Sequence, residues 1–191
     1  QELSYVPSST AISEVPDISL YDHVKLTAGF ALCMYEWLEE QQITDYKKEL
    51  KNSKLTKFYE KPVFLMFCMD MSGIQEFVYT IASKDALKSL RSRSFYLELV
   101  LEHFIDELIE KLHLTRANLI YSGGGHAYLI LPNTNKVKKQ LELFETECNE
   151  WLMITFRAKL FLACAYHECS KRTLTNKFKF AKTRRRQNEN K

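Results

Sequence analysis

The chain has 191 residues and a formal net charge of +3, with 46% hydrophobic and 27% charged residues. That length supports one domain with its own core plus a smaller appendage, and the balance excludes a disordered or low-complexity chain. No apolar run approaches the roughly 20 residues that a membrane helix needs, so no membrane partner is expected.

The opening Gln1-Glu2-Leu3-Ser4-Tyr5 lacks the charged start and apolar middle of a signal peptide. It also lacks an initial Met, as a processed product or a piece of a longer chain would. Five cysteines (Cys33, Cys68, Cys148, Cys164 and Cys169) form no CxxC pair. They read as small hydrophobes in a reducing, cytoplasmic compartment, with neither a disulfide framework nor a structural zinc site.

Residues 1–17 carry Pro7, Ser8, Ser9, Thr10, Pro16 and Asp17 and read as an irregular lead-in. Asp17 or Ser19 then caps a predicted helix whose apolar stripe is Leu20, Val24, Thr27, Ala28, Ala31, Tyr35 and Leu38. A polar, Lys-rich connection follows up to residue 60. Pro62 opens a strand over Val63–Met69 that closes on the turn Asp70-Met71-Ser72-Gly73. Ile74, Phe77, Val78 and Ile81 predict a short helix, and a break at Ser83–Asp85 leads to a long one over Ala86–Leu112.

Two β-branched and aromatic runs, Asn118–Tyr121 and Ala127–Leu131, flank Ser122-Gly123-Gly124-Gly125-His126 and predict a hairpin. A helix follows from about Thr134 to Trp151, with Val137, Leu141, Phe144, Cys148 and Leu152 on one face. A last buried strand is expected over Lys159–Tyr166. From Lys61 to Tyr166 the order is β-α(α)-β-β-α-β. This is an α+β, ferredoxin-like arrangement with an antiparallel sheet and helices on one face. Tyr121, Tyr128 and Phe95 read as core.

From Lys177 onwards seven basic side chains, Arg184, Arg185 and Arg186 among them, meet Glu189 alone, so the body before this tail is net acidic. A basic tail on an acidic body suits a polyanion contact; a solvated end has the same composition.

Asp70 ends the first predicted strand, and the peptide N–H groups of Ser72, Gly73 and Ile74 open onto the next helix, as in a phosphate cradle. In palm-type polymerases and nucleotide cyclases an Asp here works with a second carboxylate on the central hairpin. That hairpin carries Gly123-Gly124-Gly125-His126 instead. Phosphoryl transfer by this domain alone is therefore not expected, and His126 reads as a polar hairpin residue. The alternative reading of Asp70 is a helix-capping role. Arg91 and Arg93 on the long helix are either solvated or placed for a triphosphate or RNA.

Four phrases carry a resemblance. Asp17–Ala28 is similar to the end of the HD nuclease domain in the large subunit of type III CRISPR effector complexes. Asp70–Phe77, Leu90–Leu97 and Tyr121–His126 resemble that subunit's first palm domain, in the III-A (Csm) form. The resemblance implies a division into the lead-in, an HD-domain end over 18–60, a first palm over 61–170 and a basic tail over 171–191.

It further implies a prokaryotic, RNA-guided interference complex. There the HD domain cuts single-stranded DNA and a pair of palms converts ATP into cyclic oligoadenylates once CRISPR RNA has paired with target RNA. By this resemblance Asp70, Ser72, Gly73, Ile74, Ser122, Gly123 and Gly124 line an ATP site in the non-catalytic palm, and His23 is an HD-domain metal ligand. The cofactors expected of the full-length subunit are ATP and a divalent metal (Mg or Mn), and the other Csm subunits are its partners. The HD motif itself, a second palm and a helical C-terminal domain are not in these 191 residues. The alternative reading is a catalytically inert RNA- or subunit-binding scaffold.

Overall fold

A strand of nine residues, β1 (Phe64–Ser72), is buried almost throughout because both of its faces are covered. The computed structural model describes residues 2–9, 17–51, 57–79, 86–157 and 159–175. After β1 come α3 (Ile74–Tyr79), α4 (Ala86–Lys111), β2 (Leu119–Gly123), β3 (His126–Pro132), α5 (Asn135–Phe156), β4 (Phe161–Cys169) and α6 (Lys171–Thr175). Before it lie α1 (Leu20–Glu40) and α2 (Tyr46–Lys51). The four strands form one antiparallel sheet in the order β2-β3-β1-β4, the ferredoxin-like order expected of the pattern.

Alternation along β1 divides the core in two. Leu65, Phe67, Met69 and Met71 meet α4 and α5, where Leu101, Ile105, Leu108, Leu141, Phe144 and Leu152 are buried. Fully burying a Leu or Phe side chain contributes about 1.5–3 kcal/mol, so this layer supplies most of the driving force. Phe64 and Met66 point the other way and share a smaller core with Ile130, Cys169 and the α1 residues Cys33, Trp37 and Leu38. The helices between β1 and β4 thus pack on one face, as expected of this unit, and α1, which precedes it in the chain, covers part of the second face.

Ser19, not Asp17, caps α1, its hydroxyl accepting the Asp22 N–H at 3.0 Å. The face α1 buries is Gly29, Cys33, Trp37 and Leu38; of the expected stripe Leu38 is buried, whereas Val24 and Tyr35 are about half exposed. Close approach selects the buried face. A Cβ on Gly29 would stand 2.6 Å from the Ala117 carbonyl oxygen. Asn118, wholly buried, donates through Nδ2 to the carbonyls of Ile130 at 3.0 Å and Gly29 at 3.4 Å.

The lead-in contains a 3-10 turn at Glu2–Tyr5 and a bridge between Pro7 and Ser19. β1 runs two residues past Asp70, α5 continues to Phe156, and β4 spans Phe161–Cys169 rather than Lys159–Tyr166. The expected α5 face (Val137, Leu141, Phe144, Cys148, Leu152) is the buried one. Tyr121 and Phe95 are exposed rather than core. The expected break at Ser83–Asp85 and the tail from residue 176, with Arg184, Arg185 and Arg186, lie outside the described residues. No described helix is long and apolar enough to cross a membrane.

Candidate functional site

The two Gly turns meet at one end of the sheet. The Gly125 carbonyl accepts the Met71 N–H at 2.8 Å, and the Gly125 Cα leaves room for the Ile74 side chain, whose Cδ1 would lie 2.3 Å from a Cβ there. On the other side of the same turn, a Cβ on Gly73 (φ +87°) would fall 2.0 Å from the Lys159 carbonyl oxygen. Only glycine fits at that position, for space and for backbone conformation. Met71 and Ile74 are therefore held against Gly125 of the hairpin tip, while Gly73 is held against Lys159. Gly124 (φ +61°) has nothing within 4 Å of its Cβ direction and borders open space.

Asp70 and His126 are register partners on β1 and β3, and Gly123 and Ala163 complete their row across the sheet. His126 Nδ1 lies 2.7 Å from Asp70 Oδ1. Asp70 shares its face of the sheet with Phe64 and Met66 but stands beyond the part covered by α1. The pair thus sits on the open part of the second face, beside the hairpin tip.

Ser122 points the other way. Its hydroxyl donates to Glu102 Oε1 on α4 at 2.5 Å. Arg116 reaches Glu102 Oε2 and Asp106 Oδ1, each at 2.7 Å. The Ser122 hydrogen bond, joined by Arg116, holds the Glu102 carboxyl below its ordinary value. What Ser122 presents to the open face is backbone only.

Arg93 is tied into the fold. Its Nη1 donates to the Phe77 carbonyl at 2.6 Å, and its guanidinium lies 5.3 Å from the Phe77 ring centroid. Arg91 is exposed. His23 is exposed near the start of α1.

Among the described residues, no three His, Cys, Asp or Glu side chains converge to hold a metal ion. A divalent magnesium or manganese ion prefers several oxygen ligands. One carboxylate already hydrogen-bonded to an imidazole does not supply them, so the residues described do not fit a resident divalent metal.

One feature was hidden from the sequence: Tyr121 and Tyr128, read there as core, lie on the open face in the row next to Asp70–His126. They are register partners, with ring centroids 6.4 Å apart. Alternation within short apolar strands does not say which face stays open.

Three comparisons agree on the family. The family described as Csm1 subunit domain B matches residues 63–191. A CRISPR system single-strand-specific deoxyribonuclease Cas10/Csm1 (subtype III-A) of Enterococcus italicus is 50% identical over 175 residues, covering 91% of this chain and 23% of the relative. Its counterpart in Mycobacterium tuberculosis is 52% identical over 161 residues, covering 84% of this chain and 20% of that protein. The chain thus spans between a fifth and a quarter of the length of these curated relatives.

Among solved structures, a Csm1–Csm4 cassette in complex with pppApA superposes with a TM-score of 0.80 at 33% identity, covering 98% of this chain and 25% of that one. The cassette in complex with one ATP, and that with cA4, each superpose at 0.78 with 33% identity, covering 98% of this chain and 24% of theirs. With a domain model spanning most of its length, two relatives near half identity and a shared palm-like fold, the chain belongs to the family of Csm1 subunit domain B.

Proposed function

We propose that this chain is the non-catalytic first palm of a type III-A CRISPR large subunit, preceded by the end of its HD nuclease domain. In this reading it holds one ATP against a second, metal-bearing palm. The observation that carries the proposal is the junction of the two turns. Peptide groups of Ser72, Gly73, Ile74, Gly123 and Gly124 gather at one sheet end, beside a hairpin whose second carboxylate is replaced by His126.

A palm without paired carboxylates cannot clamp a reacting phosphate between two metals. It can still bind a nucleotide triphosphate through backbone N–H groups. The nucleotide complexes of the cassette structures favour this role over a nucleotide-free scaffold. Divalent metal would be supplied by the partner palm, and cyclic oligoadenylate synthesis and single-stranded DNA cleavage would belong to the full-length subunit.

By the same reading, His23 is a ligand whose partners lie elsewhere in the HD domain, and a Csm4-type subunit is a direct partner. CRISPR RNA and target RNA are held in the assembly, which works in the prokaryotic cytoplasm. Ser72→Trp tests the proposal in the full-length complex. It should abolish oligoadenylate synthesis while target RNA binding and DNA cleavage persist; unchanged synthesis would remove the ATP-site role.

A further inference from the structure

Resting on that nucleotide-site reading, we infer that Tyr121 and Tyr128 form the stacking platform for the adenine of the nucleotide held by this palm. The open part of the second sheet face is built in rows. At the hairpin end stands Gly123–His126–Asp70–Ala163, and the next row inward is Tyr121–Tyr128–Cys68–Ala165. The row beyond, with Ile130 and Met66, is covered by α1. The tyrosines therefore occupy a shelf between a helix wall and the Asp70–His126 pair.

The two ring planes are tilted by 40° to each other, and the shelf beside them is low. Ala163 and Ala165 on β4 carry minimal side chains. The Tyr121 ring runs along its own strand towards the tip, so that its Oη lies 2.9 Å, and its Cζ 3.3 Å, from where a Cβ on Gly123 would be. A ring laid along the strand over a glycine turns a π-face outward, and Tyr121 is 55% exposed. An aromatic ring left in water on an open four-stranded sheet is the arrangement by which such sheets stack bases.

Spacing agrees with a nucleotide. Adjacent rows are two residues apart along a strand, about 7 Å, a distance that a ribose bridges. A base on the tyrosines would put its sugar over Asp70–His126 and its phosphates at the turn of Ser72–Ile74 and the glycine tip. Order along the shelf thus runs from apolar rings to a polar pair to the two glycine turns, as a nucleotide runs from base to sugar to phosphate.

The test uses the full-length subunit with its Csm4-type partner, titrated separately with ATP and with inorganic tripolyphosphate. Ser72→Trp supplies the baseline of any remaining site. Tyr121→Ala with Tyr128→Ala should weaken ATP at this site about tenfold or more, leaving tripolyphosphate affinity unchanged. The Phe replacements should keep wild-type affinity. Tyr121→Leu, which preserves apolar cover without a π-face, should behave like Ala.

Unchanged ATP affinity in the alanine variant, with ATP still lost in Ser72→Trp, would overturn the platform and leave the nucleotide site standing. Parallel loss of ATP and tripolyphosphate, or a Leu variant as good as Phe, would also overturn it. If Ser72→Trp altered neither ligand, the nucleotide-site reading would fall, and the platform with it.

Discussion

Asp70 Oδ1 and His126 Nδ1 lie 2.7 Å apart, directly across β1 and β3. In a metal-dependent palm both positions at this end of the sheet carry carboxylates. Here one carboxylate is engaged by an imidazole, and the pair holds the hairpin tip over the β1 turn.

The pair should be worth about 0.5–1.5 kcal/mol of coupling, the range of a partly exposed hydrogen bond. A double-mutant cycle of Asp70→Ala and His126→Ala, read by urea unfolding, checks this. Additive single effects would mean the two side chains do not depend on each other.

Gly73→Ala and Gly124→Ala should differ sharply. Both glycines have positive φ, which costs a non-glycine residue about 1–2 kcal/mol. At Gly73 the new methyl also meets the Lys159 carbonyl, whereas at Gly124 it enters open space. Gly73→Ala should therefore lower the urea midpoint well beyond Gly124→Ala. Equal shifts would contradict the packing of the β1 turn on the chain before β4.

Asn118→Leu should release α1 from the sheet. It strips the buried Ile130 carbonyl of a side-chain donor, at a cost of about 1–3 kcal/mol. Trp37 lies on the buried face of α1 and stacks edge-on with Phe58. In a Trp151→Phe background its fluorescence should shift to the red at lower denaturant than in the parent; an unchanged transition would contradict the clamp.

Glu102 makes stability depend on acid. Its folded carboxyl lies below the ordinary value of 4.5, mainly through the Ser122 hydroxyl. A depressed carboxylate contributes fully above its unfolded value, and the contribution is lost as pH falls through the folded one. Ser122→Ala should thus be destabilising at neutral pH, with the difference from wild type shrinking below about pH 4.5. Measuring unfolding free energy against pH for both proteins checks the sign. A difference that grows on acidification would contradict it.

The layer made by α4, α5 and the sheet was legible because its stripes are unambiguous: Val137, Leu141, Phe144, Cys148 and Leu152 recur at helical spacing on an otherwise polar helix. α1 was misread because it is apolar on two sides. Leu20, Val24 and Tyr35 satisfy the periodicity as well as Cys33 and Trp37 do, and Leu38 belongs to both faces. The choice was made by Gly29 fitting beneath Ala117, a tertiary contact that no local pattern encodes. The meeting of the two turns was legible from strand order. The outward turn of Tyr121 and the inward turn of Ser122 were not, since a one-residue change of register exchanges them.

Counting ATP bound to the full-length subunit by equilibrium dialysis tests the nucleotide-holding role most directly. Ser72 is exposed and on the open face, so Ser72→Trp should block the site without unfolding the sheet. The expected result is one ATP fewer per subunit in the variant than in the wild type, with the other site intact. The same ATP count in both proteins would contradict the assignment of a nucleotide to this palm.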